Sequence, residues 1–212
     1  ALSKKKFLIT AGPTYEPIDT VRGITNRSSG KMGYAVAQAA VEAGAEVTLV
    51  SGATSLLAPS GVDRVDVLTA GEMHREVMKR AKQADVFIAV AAVADYRPAD
   101  SKSHKIKRGN GHLSLELEAN PDILAEVAAL PKGPFCVGFA AETEDLMANA
   151  QLKRKKKGIP LLAANLAHET FGKDTNAVTL FDDRGIHELS RAPKIVLARQ
   201  IVAHIAKMLP QR

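Results

Sequence analysis

A polar segment at residues 10–33 holds the side chains in this chain that are best suited to bind an anion. It lies between an apolar run at residues 6–9, which predicts a strand, and an alanine-rich stretch at residues 34–43 with helical spacing. In α/β proteins such a loop is a common site for phosphate groups. Hydroxyl, amide and charged side chains are concentrated here, namely Thr14, Glu16, Asp19, Arg22, Thr25, Asn26, Ser28 and Ser29.

Two interpretations of this segment remain open from its own residues. We predict Ser28 or Ser29 as the N-cap of the helix and Gly44 as the glycine that ends it. A long surface loop that merely caps a helix has the same pattern. The dinucleotide fingerprint G-x-G-x-x-G is absent, because Gly12 is followed by Pro13 and by no second glycine until Gly23. An NAD(P)-dependent oxidoreductase is therefore the alternative function and not the preferred one.

Basic residues form two clusters, one around Lys105 and one from Lys153 to Lys157. Lys105 lies in a polar stretch at residues 97–112, which we predict to be a flap whose lysine neutralises charge on a polyphosphate. Lys153 and Lys157 are four residues apart on a predicted helix, so both ammonium groups can reach one phosphate chain. A solvated loop, and cations that complement a helix dipole, are the alternatives.

The overall composition favours a small anionic ligand over nucleic acid or a membrane. The net charge is +6 and the pI about 9.4, but only 4% of residues are aromatic and tryptophan is absent, which leaves few surfaces for stacking bases. The apolar run at residues 86–94 is too short to cross a bilayer. These features predict a cytoplasmic protein that binds neither nucleic acid nor a membrane.

The cysteine and histidine residues predict no metal site built by the protein. Cys136 is the only cysteine and lies in an apolar stretch, so we expect a buried thiol and no disulfide within the chain. The six histidines are scattered in sequence, and no spacing resembles that of a dedicated metal site. Any metal would arrive with a nucleotide, as Mg²⁺ usually does.

Strands that alternate with helices predict an α/β fold in one domain over residues 1–212. We expect a three-layer, Rossmann-like, doubly wound, mostly parallel sheet with a flap loop and a small antiparallel hairpin around residues 182–185. Another strand is predicted at residues 113–118, and a helix with Asn120 as its N-cap. Asp95 follows a predicted strand, so its carboxylate is expected in the ligand cleft, although a capping or turn role is nearly as plausible.

Seven short motifs, in order along most of the chain, resemble those of bacterial phosphopantothenoylcysteine synthetase. They occupy residues 12–19, 21–33, 91–96, 105–107, 120–122, 137–143 and 171–176. Such domains commonly form the C-terminal half of a bifunctional coenzyme A biosynthesis protein whose other half is a decarboxylase. The absent initiator methionine favours an excised synthetase domain. The resemblance implies a ligase that joins 4′-phosphopantothenate to L-cysteine through an acyl-cytidylate, with CTP as co-substrate and Mg²⁺ bound to the nucleotide.

The same resemblance implies roles for individual residues. Lys105 assists formation of the acyl-cytidylate, while Asn26 and Arg22, with the backbone near Ala92, act in its conversion to the amide. Phosphopantothenate is bound by Asn26, Ser28, Ser29, Gly30 and Ala92. The nucleotide is bound by Ala89, Val90, Ala91, Asp95, Lys105, Ala119, Asn120, Pro121, Phe139, Lys153 and Lys157. The family is homodimeric, and a loop of one subunit is expected to complete the pocket of the other.

Overall fold

The computed structural model describes residues 2–142, 145–166 and 174–210. The strands are β1 (Lys6–Ala11), β2 (Tyr15–Pro17), β3 (Gly23–Thr25), β4 (Glu46–Ser51), β5 (Val62–Asp66), β6 (Val86–Ala89), β7 (Tyr96–Pro98), β8 (Leu117–Ala119), β9 (Phe135–Glu142), β10 (Leu161–Leu166), β11 (Thr175–Asp182) and β12 (Gly185–Pro193). The helices of the described residues are α1 (Lys31–Glu42), α2 (Ala70–Ala81), α3 (Ile123–Ala128), α4 (Leu146–Lys157) and α5 (Lys194–Met208).

One eight-stranded sheet runs through the molecule in the order β12, β11, β10, β9, β6, β1, β4, β5. The six strands from β10 to β5 are parallel, and β11 and β12 add an antiparallel hairpin at one edge. The chain winds outward from β1 in both directions, so the point where the strand order reverses lies between β1 and β6. The predicted doubly wound, mostly parallel sheet and its hairpin are confirmed.

Helices cover both faces of the sheet and give three layers. On one face α1 packs against α5, and side chains such as Val36 and Leu197 are fully buried. On the other face α2, α3 and α4 bury side chains such as Met73 and Val127. Parallel strands that are apolar on both faces need such double cover. None of the described helices has the length and apolar content to cross a membrane.

The start of α1 differs from the prediction. The helix begins at Lys31, and its N-cap is Gly30, not Ser28 or Ser29. Gly30 has φ +78°, a left-handed conformation that favours glycine, and a Cβ here would lie 3.3 Å from Cα of Gly12. The two serine hydroxyls instead accept hydrogen bonds from the N–H groups of Gly30 and Lys31. The N-cap residue is therefore set by the close contact between the backbones of Gly30 and Gly12, and not by the preference of serine for N-cap positions.

The start of α3 was also predicted wrongly. Its N-cap is Asp122, whose carboxylate accepts the N–H of Ala125, and not Asn120. The amide of Asn120 donates instead to the carbonyl of Ala94 at 2.9 Å, so it ties the loop after β6 to the segment before α3. The helix α4, which carries Lys153 and Lys157 as predicted, begins at Leu146, and residues 143–144 before it lie outside the described residues.

Two short hairpins beside the sheet frame the predicted flap. β2 pairs with β3, and β7 pairs with β8, both antiparallel. The strand predicted at residues 113–118 is thus wrong for most of its length, because pairing with β7 begins only at Leu117. Between β7 and β8 the chain is almost wholly exposed, as expected for a flap.

Asp19 anchors this flap to the loop between β2 and β3. Its solvent-inaccessible carboxylate lies 2.5 Å from the guanidinium of Arg22 and accepts the backbone N–H groups of Val21 and Ile106. Arg22 also donates to the carbonyl of Ile106 at 2.9 Å. The guanidinium of Arg22, with these backbone donors, holds the pKa of Asp19 well below its ordinary range despite burial.

Replacement of Gly33 by alanine should destabilise the protein, because α1 lies directly on β1 at this residue. A Cβ on Gly33 would lie 2.5 Å from Cβ of Ala11. We expect a loss of about 1–3 kcal/mol in the free energy of unfolding, as for other overpacked cores. The matched control is Gly71→Ala in α2, where the nearest atom is 3.9 Å away and a gain of about 0.4–1 kcal/mol is expected. Denaturant unfolding of both variants tests this, and equal effects would contradict it.

Asp19→Asn should release the flap, because an amide is uncharged and keeps only one acceptor oxygen. It cannot accept Arg22 and Ile106 on one side and the N–H groups of Val21 and Arg22 on the other. We expect trypsin to cleave within residues 99–116 about tenfold faster, since the lost bonds involve a charged group. Asp66→Asn, which removes an exposed partner of Arg64, is the control and should leave cleavage unchanged. The lowered pKa means that the wild-type anchor is complete above the usual aspartate pKa of about 4 and is lost only as the pH falls through the lower folded-state value.

Candidate functional site

A cavity of about 750 Å³ opens at the carboxyl edge of the sheet, over the point between β1 and β6 where the strand order reverses. Its volume is typical of pockets for small-molecule ligands. The walls come from the ends of β1, β6 and β9, the N-terminus of α1, the segment before α3 and one side of α4. We call this cavity the main pocket.

Most of the predicted site residues line the main pocket, although they come from five separate stretches of sequence. They are Asn26, Ser28, Ser29, Gly30, Ala89, Val90, Ala91, Ala92, Asp95, Asn120, Pro121, Phe139, Lys153 and Lys157. Arg22, Lys105 and Ala119 are not part of the lining in the described structure. The family motif at residues 171–176 is described only from Asp174 onward.

Backbone hydrogen bonds join the loops after β1 and β6 at the base of the main pocket. The N–H of Ala92 donates to the carbonyl of Gly12 at 2.9 Å, and the N–H of Thr14 donates back to the carbonyl of Ala92 at 3.2 Å. The hydroxyl of Thr14 accepts the N–H of Ala94 at 3.0 Å. These bonds hold a run of small residues against the ligand space, where their backbone can approach a ligand closely.

The N-terminus of α1 points at the same space and favours an anion. The first N–H groups of a helix have no intrahelical acceptor and carry the positive end of the helix dipole. Asn26 and Ser28 stand before it, with the side-chain oxygen of Asn26 accepting the N–H of Ser28 at 3.2 Å. This turn presents amide and hydroxyl groups beside the helix end, which is an arrangement suited to phosphate.

Lys153 and Lys157 line the opposite side, and each has a carboxylate partner. The ammonium of Lys153 forms an ion pair at 2.7 Å with the nearly buried Glu142, outside hydrogen-bond geometry. Lys157 binds both carboxylate oxygens of Asp122 at 2.7 and 2.8 Å. Partial burial acts to raise the pKa of Asp122, but Lys157 and the N–H of Ala125 outweigh it and lower that pKa. Both lysines project from one face of α4, as the four-residue spacing predicts.

A second pair of cations in the main pocket was missed by the sequence analysis. Lys31 at the start of α1 and Lys194 at the start of α5 both line it, together with Asn176. Lys31 forms a 2.5 Å ion pair with Asp174, whose carbonyl accepts the backbone N–H of Lys194. Burial and the nearby charge of Lys31 lower the pKa of Lys194. Residues 31 and 194 are too far apart in sequence for any spacing rule to have joined them.

The chemistry of the pocket is that of binding and charge stabilisation. Four lysines and a helix N-terminus surround the space, which suits a ligand with several phosphate groups. Cys136 takes no part in it: the thiol is buried as predicted, and burial raises its pKa to about 11, so it stays protonated at neutral pH.

Comparison with known proteins identifies relatives of the chain. Residues 2–209 match the family model described as the DNA/pantothenate metabolism flavoprotein C-terminal domain. The coenzyme A biosynthesis bifunctional protein CoaBC of Vibrio cholerae is 50% identical over 204 residues, which cover 93% of this chain and 51% of that protein. The chain thus spans about half the length of the curated relatives that it matches.

Two solved structures have the same fold. The crystal structure of the C-terminal domain of a CoaBC protein is 41% identical, covers 98% of this chain and 96% of that one, and superposes with a TM-score of 0.85. A Cab2 mutant in complex with phosphopantothenate-cysteine is 19% identical, covers 96% and 87% of the two chains, and has a TM-score of 0.81. At that identity the second likeness concerns the fold alone. With its family model matched over nearly its whole length and half of its residues shared with a curated relative, the chain belongs to the family of DNA/pantothenate metabolism flavoprotein C-terminal domains.

Proposed function

We propose that this chain joins 4′-phosphopantothenate to L-cysteine at the expense of CTP, as the ligase of coenzyme A biosynthesis. The observation that carries the proposal is the main pocket, where residues of five of the seven family motifs meet Lys153 and Lys157 around a polyphosphate-sized, cation-rich space. Family membership supports it, because the matched relatives are named as bifunctional coenzyme A biosynthesis proteins.

The reaction has two steps that conserve atoms and charge. A carboxylate oxygen of phosphopantothenate attacks the α-phosphorus of CTP, and pyrophosphate leaves with the electron pair of the broken P–O bond. The product is an acyl-cytidylate, a mixed anhydride and a far better acyl donor than the free carboxylate. The amine of cysteine then attacks its carbonyl carbon, loses a proton and expels CMP, which leaves the amide.

The nucleotide occupies the side of the main pocket between Asp95 and α4. Lys153 and Lys157 hold the phosphates and exchange their present carboxylate partners for phosphate oxygens as the ligand enters. Asp95 contacts the cytosine or the ribose, with Phe139 and Asn120 in the same wall. Lys105 stabilises the charge that develops as pyrophosphate leaves.

Phosphopantothenate binds at the N-terminus of α1, where Ser28, Ser29 and Gly30 face the pocket. Asn26 stands beside them and donates a hydrogen bond to the carbonyl oxygen of the acyl-cytidylate while cysteine attacks. Arg22 and the backbone near Ala92 assist this second step.

Mg²⁺ would bind together with CTP and would not need a site built from protein ligands alone. This ion keeps several waters and binds through phosphates and one or two carboxylates. Asp95 and Asp122 both line the main pocket, so carboxylate oxygens of the required kind are present. When bound, Mg²⁺ neutralises phosphate charge.

The working protein is a homodimer in which the flap of one subunit completes the pocket of the other. This accounts for the position of Arg22, which donates to the carbonyl of Ile106 on the flap, and of Lys105, which precedes Ile106 in sequence. Neither residue lines the main pocket of its own chain. In the natural polypeptide the chain is joined to a decarboxylase half, in line with the bifunctional names of its relatives.

Pyrophosphate release is the first test of the function. We expect release only when CTP, Mg²⁺ and phosphopantothenate are all present, and amide formation only when cysteine is added. ATP in place of CTP tests the choice of nucleotide, and NADPH with thermal unfolding tests the oxidoreductase alternative, because only a bound ligand stabilises the fold. Release without phosphopantothenate, or stabilisation by NADPH and not by CTP, would contradict the proposal.

Asn26→Asp separates the two steps. The variant should release pyrophosphate once per site but transfer the acyl group to cysteine on the order of 10²-fold more slowly, as expected when one donor to a developing oxyanion is lost. The acyl-cytidylate should therefore be isolated with the protein and detected by mass spectrometry. Gln38→Glu, on the exposed side of α1, is the control and should turn over normally. Failure of the variant to form the intermediate would remove Asn26 from the second step.

Mixed dimers test whether Lys105 acts across the subunit interface. Lys105→Gln and the double variant Lys153→Gln/Lys157→Gln should each be nearly inactive alone. Co-expressed in equal amounts, they should recover about a quarter of the wild-type rate, because half of the dimers are mixed and each mixed dimer keeps one intact site. No recovery would mean that Lys105 serves the pocket of its own chain.

A further inference from the structure

Three side chains far from the main pocket converge at the opposite edge of the sheet. Asp182 ends β11, His187 lies on β12 and His204 lies near the end of α5. Phe181 pairs with Leu162 near the start of β10, so this cluster lies at the amino edge of the parallel strands, whereas the main pocket lies at their carboxyl edge. The proposed ligase reaction makes no use of these residues.

The donor atoms of the cluster face one another closely. Nε2 of His204 lies 2.7 Å from Oδ2 of Asp182, and Nε2 of His187 lies 3.2 Å from both carboxylate oxygens. All three donor groups fall within 4.8 Å of one another, the one such group of three in the part of the chain that the structure describes. The two imidazole rings are 4.7 Å apart between centroids.

We propose that Asp182, His187 and His204 bind a divalent transition-metal ion, with Zn²⁺ as the best fit. Two imidazole nitrogens and a carboxylate oxygen are ligands that Zn²⁺ accepts, with water in the fourth position. Ligand atoms bound tetrahedrally at about 2.0–2.1 Å are roughly 3.4 Å apart. The two histidine–carboxylate contacts therefore need to widen by less than an ångström, and the two imidazole nitrogens, which lie within 4.8 Å of each other, need to settle at that separation.

The surroundings of the cluster hold the carboxylate in place for such an ion. Oδ1 of Asp182 accepts the N–H groups of Arg184 and Gly185 at 2.7 and 3.0 Å, which fixes its orientation as outer contacts do at metal sites. The carboxylate itself is shielded from solvent, while His187 is 36% exposed and gives the ion a path in. A bound ion would join α5 to the hairpin of β11 and β12.

Sequence analysis predicted no metal site because these histidines are scattered along the chain. Asp182 and His187 are separated by the turn of a hairpin, and His204 lies 17 residues further on a helix. Only the packing of α5 over β11 brings His204 close to Asp182 and His187.

Zinc binding by untagged, chelator-treated protein tests the proposal. In competition with a chromophoric chelator we expect one Zn²⁺ per chain, and Co²⁺ should give visible absorption bands when bound. His187→Gln and His204→Gln should each weaken Zn²⁺ binding by at least about tenfold, since even the loss of an outer partner costs that much. Zn²⁺ should also raise the unfolding temperature of the wild type more than that of either variant.

The matched control is His74→Gln. Nε2 of His74 lies 2.7 Å from Oε2 of Glu126, so these two residues form an equally close histidine–carboxylate pair. Among the described residues, no third potential metal ligand lies close to this pair. This variant should bind Zn²⁺ like the wild type. His187 is partly exposed on an edge strand, so its variant is expected to fold, and circular dichroism checks this before titration. Absence of binding by the wild type, or unchanged binding by folded His187→Gln, would overturn the proposal.

Discussion

The backbone of α1 lies directly against β1, and this contact places the N-terminus of the helix at the main pocket. Gly33 leaves no room for a Cβ against Ala11, and Gly30 packs on Gly12, whose own Cβ would lie 3.0 Å from the carbonyl oxygen of Gly52. Because these backbones touch, the N-terminus of α1 is held directly over the point where the strand order reverses. Any residue larger than glycine would push the helix outward and move its dipole away from the pocket.

Charge in the main pocket is balanced before a ligand arrives. Lys153 and Lys157 each contact a carboxylate, and Lys31 contacts Asp174. Without these carboxylates the ammonium groups around the cavity would repel one another more strongly; the pKa of Lys194 is lowered first by burial and then by the charge of Lys31. A polyphosphate can replace these carboxylates with more highly charged oxygens, so the same arrangement stabilises the empty fold and gives the ligand its advantage.

The flap is fastened at a place away from the lining of the main pocket. Asp19 and Arg22, in the loop between β2 and β3, bind the backbone of Ile106 in the middle of the flap, next to Lys105. This anchor holds the backbone next to Lys105 outside the main pocket of the same chain. The proposal that a second subunit completes the site is motivated by this separation.

Apolar periodicity acts locally, so the alternation of long strands with helices and the doubly wound sheet could be predicted from the sequence. The resemblance to family motifs named most of the residues that line the main pocket. The buried state of Cys136 could be predicted from the apolar stretch in which it lies. Three features could be seen only in the folded chain: Gly30 and Asp122 cap α1 and α3, Lys31 and Lys194 line one pocket, and Asp182 contacts two histidines. These depend on contacts between residues distant in the chain, where backbone approach and burial outweigh the local preferences of each residue.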